Sequence, residues 1–316
     1  VTDPLLDEAG RIGEPVEILE PGAEPVNRDR VLIGIGPREP ELAAAVDVTL
    51  VAEGTAKGPE FVEVADPHGE AELLRAAAKE CPQAALTLVE VLRAAPADVT
   101  AGLDLESFAY STLLGGREFA RWLARRGERP LPPPSPREPV LVDREDGTLR
   151  VTLNRPERRN AYGREVRDAL VEALRLALLD DSVRRVVLDG AGPSFCAGGD
   201  LDEFGTTPDL ATAHFVRTRA GAGGLLHRLA DRAEVRLHGS CVGAGIELPA
   251  FASRILARPG TTFRLPEVSM GLIPGAGGTV SIPRRIGRWR TLYLALSGRP
   301  LDAGTALDWG LVDAVE

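Results

Sequence analysis

The run Arg129-Pro130-Leu131-Pro132-Pro133-Pro134-Ser135-Pro136 constrains this chain more than any other stretch. Proline locks φ and has no N–H to donate, so neither a helix interior nor a central strand can form there. The segment is predicted to run extended and fairly stiff, as a linker. It divides the 316 residues into an N-terminal accessory domain with its linker, residues 1–137, and a second domain, residues 138–316. Length alone leads to the same expectation of about two domains.

Ahead of the linker, residues 1–28 are polar and rich in Pro and Gly and read as a loose arm. Strands are predicted at Arg30–Ile35 and Val46–Ala52, with a third at Phe61–Val64. Helical spacing starts near Glu70, and Pro82 opens a second helix with Leu86, Val89 and Leu92 on one face. Leu105, Phe108, Leu113, Phe119 and Trp122 carry a further apolar face. This part is expected to be a smaller α/β or mostly helical domain.

After the linker, β and α signals alternate. Strands are predicted at Leu149–Leu153, Val183–Leu188, Val235–Leu237, Ser253–Ala257 and Thr262–Arg264. Helices are predicted at Glu165–Leu179, Asp209–Leu229, Ala244–Ala252, Trp289–Ser297 and Ala303–Trp309. Such alternation argues for an α/β layered domain with crossover helices.

Composition removes several function classes. Hydrophobic residues make up 44%, enough for a real core, and a formal net charge of −10 argues against a general nucleic-acid binder. The cysteines Cys81, Cys196 and Cys241 are odd in number and match no metal or redox spacing; the four histidines are too scattered for zinc. No metal is expected. The N-terminus lacks the pattern of a signal peptide, and no apolar run approaches the ~18 residues of a membrane helix. A soluble, cytoplasmic protein is the expectation.

Three segments of the second domain stand out. Ser194-Phe195-Cys196-Ala197-Gly198-Gly199-Asp200-Leu201 follows a strand; its glycines allow a sharp turn with free N–H groups, or simply a tight connection. His238-Gly239-Ser240-Cys241-Val242-Gly243-Ala244-Gly245-Ile246-Glu247 places Glu247 in a first helical turn, where the helix dipole favours an acid with or without chemistry. Arg264-Leu265-Pro266-Glu267-Val268 precedes the glycine-rich Gly271–Thr279. Taken singly, Glu267 reads as a solvated loop charge.

Together, and in this order, these segments resemble the enoyl-CoA hydratase/isomerase (crotonase) superfamily. Val151-Thr152-Leu153-Asn154-Arg155-Pro156 with Arg159-Asn160-Ala161 fits ahead of them, and Gly298-Arg299-Pro300-Leu301-Asp302-Ala303 with Trp309-Gly310-Leu311-Val312 fits behind. The resemblance covers about residues 139–316. It implies a crotonase-like spiral of ββα turns, assembly as homotrimers or hexamers, and a coenzyme A thioester as substrate with no other cofactor. It implies an oxyanion hole from the backbone N–H groups of Gly199 and Ala244, the latter a glycine in many relatives. It implies Glu247 and Glu267 as an acid/base pair, Gly275 as a backbone group placing a water, and Arg159, Ala161, Ala197, Asp200 and Leu201 along the coenzyme A thioester. Retention of both glutamates favours hydration of a 2-enoyl-CoA to a 3-hydroxyacyl-CoA. Isomerisation, C–C hydrolysis, decarboxylation, or a non-catalytic assembly role are the alternatives.

Relatives continue beyond the point matching Val315-Glu316 into a helical cap. Residues of about 68–128 resemble that cap, with Glu106-Ser107-Phe108 and the basic-aromatic stretch Arg117–Arg126 in the expected order. They are read as a displaced cap, with Phe119, Trp122, Arg125 and Arg126 near the adenine or its phosphates; an unrelated α/β accessory domain is the alternative. Arg155, Arg158 and Arg159 are read as phosphate ligands or solvated charges, and Tyr162 as a contact to the pantetheine arm or a helix start.

Overall fold

The computed structural model describes residues 4–26 and 28–316. The first half opens with a four-stranded, all-parallel sheet in chain order: β1 (Val16–Leu19), β2 (Val31–Ile35), β3 (Val48–Val51) and β4 (Phe61–Glu63), with α1 (Pro40–Ala45) between β2 and β3. Every residue of β2 and β3 is buried. That explains their unbroken apolar, β-branched composition. Strand β1 lies in the stretch read as a loose arm, of which residues 1–3 and 27 are outside the described residues. It is only four residues long, and Val16 and Leu19 alone are fully buried, so its signal is lost among polar neighbours.

Four helices follow: α2 (Pro67–Glu80), α3 (Pro82–Ala94), α4 (Val99–Leu114) and α5 (Arg117–Arg126). Their starts follow from the sequence. Asp66 caps α2 by accepting from Gly69 N–H, and Pro67 sits where no N–H is needed. Asp98 caps α4 through Ala101 N–H. The proline-rich linker has no regular structure. It is nevertheless fixed to the second half, because Ser135 N–H donates to Glu165 (3.0 Å) and Arg155 donates to Pro133 O (3.3 Å).

The second half runs β5 (Val140–Glu145), β6 (Thr148–Leu153), α6 (Arg164–Leu179), β7 (Arg185–Gly190), α7 (Leu210–Arg219), α8 (Gly223–Arg228), β8 (Ala233–Leu237), β9 (Ser240–Val242) and α9 (Ala244–Glu247). It continues through β10 (Arg254–Ala257), β11 (Thr262–Arg264), α10 (Gly278–Ser281), α11 (Pro283–Ser297), β12 (Leu301–Asp302), α12 (Ala303–Trp309) and β13 (Ala314–Val315). A six-stranded sheet has the order β13-β10-β8-β7-β6-β5, and a second sheet has β12-β11-β9. All pairings of the larger sheet are parallel except the β5–β6 hairpin. Strands passing between the two sheets and returning through helices make the α/β spiral that was expected.

Three elements differ from expectation for physical reasons. The helix predicted over 209–229 breaks into α7 and α8 around Gly221, where a side chain would run into the carbonyl of Arg217. The helix predicted over 244–252 stops after one turn; Pro249 has no N–H, and the chain continues as a 3-10 turn, Pro249–Phe251. Helix α11 begins six residues early at Pro283, with a kink at Gly287 (φ 80°).

The linker divides the chain but not the core. One apolar cluster runs from Val16 and Val48 through Leu74 and Leu88 to Val151, Phe263, Leu294 and Val312. Helix α11 packs against α2, α3, β3 and β4. Among the described residues no helix is long and apolar enough to cross a membrane.

Polar ties span the same joint. The Asp47 side chain, 3% exposed, accepts from Arg93 (2.6 and 2.9 Å), from Arg288 (3.3 Å) and from Leu32 N–H (2.8 Å). Trp289 Nε1 donates to Val46 O (3.0 Å). Asp47→Ala strips two arginines of their carboxylate at once. It is expected to cost roughly 3–5 kcal/mol, as for breaking a buried ion pair. A urea melt of the variant that matches wild type within experimental error would show that the tie carries no stability.

Candidate functional site

The glycine-rich turns place two carboxylates face to face. Between β9 and α9, Gly243 has φ 49°, ψ −119°. A Cβ there would lie 2.5 Å from Glu267 Oε1 and 3.6 Å from Glu247 Oε1. Both acids therefore border one small space that only glycine leaves open. Glu247 is 3% exposed, and its Oε2 accepts from the N–H groups of Ala276 (2.7 Å) and Gly278 (2.9 Å). Glu267 opens a 3-10 turn, Glu267–Met270. Its Oε2 is buried and accepts no hydrogen bond among the described residues.

Burial pushes both carboxyls up, Glu267 to about 8, and the neighbouring Glu267 raises Glu247 further. The two amides on Glu247 oppose that rise and favour its ionised form. Glu267 Oε2 has no such donors. A pair that cannot bury two charges side by side holds one proton between its two carboxyls.

The loop before Asp200 is pinned on all sides. Phe195 N–H donates to His238 O (2.9 Å), Ala197 N–H to Arg159 O (2.9 Å), Val242 N–H to Cys196 O (3.0 Å) and Tyr162 N–H to Gly198 O (2.7 Å). Gly198 sits at φ 94°, with the carbonyl of Val242 where a side chain would go. Among the described residues, neither Gly199 N–H nor Ala244 N–H finds an acceptor. Both residues line the cavity of about 250 Å³ that also holds Glu247, Glu267 and Gly275. Fixed donors beside two buried acids suit a reaction in which negative charge develops on a carbonyl oxygen.

Helix α4 completes the site from the first half of the chain. Glu106, 2% exposed, accepts from Gly277 N–H (2.7 Å), Thr279 N–H (2.8 Å) and the Thr279 hydroxyl (2.7 Å). Burial pushes its carboxyl up to about 7, opposed by those donors. One turn later, the Tyr110 ring lies against Gly275, which has no room for a side chain. Burial raises the Tyr110 hydroxyl, with the charges of Glu267 and Glu247 adding to that rise, so the phenol stays protonated. Sequence reasoning passed over Tyr110 and quoted Glu106 only within an acidic-aromatic stretch. The available signal was an acid four residues before an aromatic, which puts both on one helix face.

The remaining predicted residues separate into two groups. Asp200 lines the cavity, but its carboxylate is taken by Arg158 (2.6 and 2.9 Å) and caps the turn through Asp202 N–H (3.1 Å). As a side chain it is therefore not free to hold a ligand. Arg158 is likewise spent on Asp200 and Asp202, and Arg155 is buried on Glu165. Arg159 is exposed, with its backbone in the left-handed region (φ 51°). Ala161 and Ala197 flank the loop through backbone bonds, and Leu201 borders a separate surface hollow with Arg126. Tyr162 lines the cavity and its hydroxyl accepts from Ala222 N–H (3.4 Å).

In α5, Phe119 is buried against Trp122 and Phe204, Arg125 pairs with Glu80, and Arg126 pairs with Asp202. These contacts hold the helix in place while leaving Trp122 partly exposed and Arg125 exposed. Burial raises the thiols of Cys196 and Cys241, which pack as small side chains. Among the described residues no three His, Cys, Asp or Glu side chains gather as a metal site.

A family model described as enoyl-CoA hydratase/isomerase matches residues 143–316. The chain is 36% identical over 181 residues to 1,2-epoxyphenylacetyl-CoA isomerase of Escherichia coli (strain K12), covering 55% of this chain and 68% of that protein. It is 34% identical over 176 residues to 2,3-dehydroadipyl-CoA hydratase of the same organism, covering 56% and 68%. Among solved structures, the enoyl-CoA hydratase of Thermoplasma volcanium GSS1 superposes with a TM-score of 0.52 at 32% identity, covering 57% of this chain and 72% of that one.

Proton linkage at Glu267 is directly measurable. Its folded carboxyl titrates above the ordinary 4.5, so the native state holds a proton that the unfolded chain has lost. Stability from this group is complete below the unfolded value and disappears as pH rises through about 8. Glu267→Gln removes the linkage. The variant is expected to melt several degrees above wild type at pH 8, with the gain vanishing near pH 4; a gain that does not change with pH would contradict it.

Proposed function

The chain belongs to the enoyl-CoA hydratase/isomerase family, within the crotonase superfamily, and on that premise we propose that it hydrates a 2-enoyl-CoA to a 3-hydroxyacyl-CoA. The observation that carries this reading is the pair of buried carboxylates facing one space beside two unspent amides. The thioester oxygen sits between Gly199 N–H and Ala244 N–H. Glu247, ionised under its two amide donors, takes a proton from a water placed with the help of the Gly275 backbone. The water oxygen bonds to C3, and the electron pair of the C2–C3 double bond moves towards the thioester oxygen. The two N–H groups stabilise that developing charge, by roughly 3 kcal/mol each on oxyanion-hole precedent. Glu267 then delivers its proton to C2.

In this reading α4 and α5 act as the cap of the acyl site, since Glu106 and Tyr110 form part of its wall and support. A second reading is isomerisation of the enoyl group, an activity that the name of the Mycosarcoma maydis relative, an enoyl-CoA isomerase/hydratase, joins to hydration. The same carboxylates can move a proton between carbons of the acyl chain without adding water. The products separate the two, because hydration alone adds the elements of water, whereas isomerisation leaves the mass of the ester unchanged.

Glu247→Gln and Glu267→Gln are each expected to lower the hydration rate by roughly 10²–10⁴-fold, the range of general acid/base help, while the circular dichroism spectrum stays native. Wild-type inactivity on 2-enoyl-CoA esters of every length would overturn the hydratase reading. The pH profile of kcat/KM is expected to fall on its alkaline side near pH 8, as Glu267 loses the proton it must donate. A profile flat through pH 9 would remove Glu267 from the role of acid.

A further inference from the structure

A smaller chamber of about 70 Å³ adjoins the reaction cavity and shares Tyr162, Arg167, Arg217, Gly275 and Ala276 with it. Arg217 stands at that junction. Its guanidinium lies over the Tyr110 ring, 4.7 Å from the centroid. Nε donates to the Ser107 hydroxyl (3.1 Å), and Nη2 to Ser107 O (3.3 Å) and to the Ser111 hydroxyl. All of these partners are neutral. Glu106, close enough to favour the arginine's charge, spends both oxygens on Gly277 and Thr279. Among the described residues Arg217 forms no ion pair, and its Nη1 donates to nothing.

A half-buried guanidinium that lies over an aromatic ring, in a residue lining two adjoining cavities, suits contact with an anion. The chamber also contains the Thr218 side and the second arginine, Arg167, which pairs with the exposed Asp168. Its small volume admits only a short chain end. From these observations we propose that Arg217 is a specificity-determining residue that receives a carboxylate at the far end of a short acyl group, so that the substrate is the mono-thioester of a dicarboxylic acid. The inference rests on the acyl-CoA reading above and names the class of acyl group it takes.

Saturated esters test this without any turnover. Glutaryl-CoA and pentanoyl-CoA have the same number of acyl carbons and differ at the chain end, carboxylate against methyl. Their dissociation constants are measured by calorimetry on the full chain, with Arg217→Gln and Arg217→Lys alongside. Wild type is expected to bind glutaryl-CoA at least tenfold more tightly. Glutamine brings that ratio to about one, while lysine, which keeps the charge but loses the planar fork, retains part of it. Equal affinity of wild type for the two esters overturns the proposal and leaves the hydratase reading intact. A full preference surviving in Arg217→Gln removes Arg217 from the role. Failure of both esters to bind overturns the acyl-CoA reading together with this one.

Discussion

The turn that borders the cavity is held by the Glu106 carboxylate from outside as well as by Glu247 from within. Glu106 comes from helix α4 and receives two backbone N–H groups and a hydroxyl from a turn 171 to 173 positions further along the chain. That same turn supplies the two amides that hold Glu247. The amides of residues 276–279 are thus shared between two carboxylates approaching from opposite halves of the protein, one structural and one facing the cavity. Remove Glu106, and Gly277 and Thr279 lose buried acceptors; the cost of leaving such donors unmade exceeds the net gain of making them.

Around this turn the protein concentrates three carboxyls in low-dielectric surroundings. Burial raises all three. The donors are distributed unevenly: Glu106 has three, Glu247 two on one oxygen, and Glu267 Oε2 none. Donors on a carboxylate favour its charged form, so this unequal provision opposes the effect of burial to a different degree at each acid. The phenol of Tyr110 and the guanidinium of Arg217 close the wall on the side of α4 and α7, so one polar side chain of the cavity comes from the first half of the chain and the charged ones from the second.

How much of this was legible in the sequence depended on distance along the chain. Gly199, Ala244, Glu247 and Glu267 stand in short motifs whose glycines and prolines dictate local backbone, and the structure brings all four into one cavity. The helix start at Pro82 was readable for the same local reason, and the onset expected near Glu70 lies three residues inside α2. Glu106 and Tyr110 were not, because on their own helix they are an ordinary acid and an ordinary aromatic; their meaning lies in a contact more than a hundred residues away. Strand β1 escaped because pairing with β2 at a full register of four residues, not its own composition, defines it. Asp200, placed in the same cavity, caps the following turn, and its pairing with Arg158 was beyond local reading because the partner lies 42 residues earlier in the chain.

The proline-rich segment between α5 and β5 acquires a second meaning from the packing around it. A stiff tether holds its two ends within a restricted volume, so the helices on one side meet the glycine-rich turns on the other at high effective concentration. The joint between the halves then need not be strong enough to associate from dilution; it has only to prefer the docked arrangement once the tether has brought it close. A cover that would otherwise have to bind as a separate partner is in this way made intramolecular. Cleavage within residues 127–139 would turn closure of the site into a concentration-dependent event, without altering a single residue that lines it.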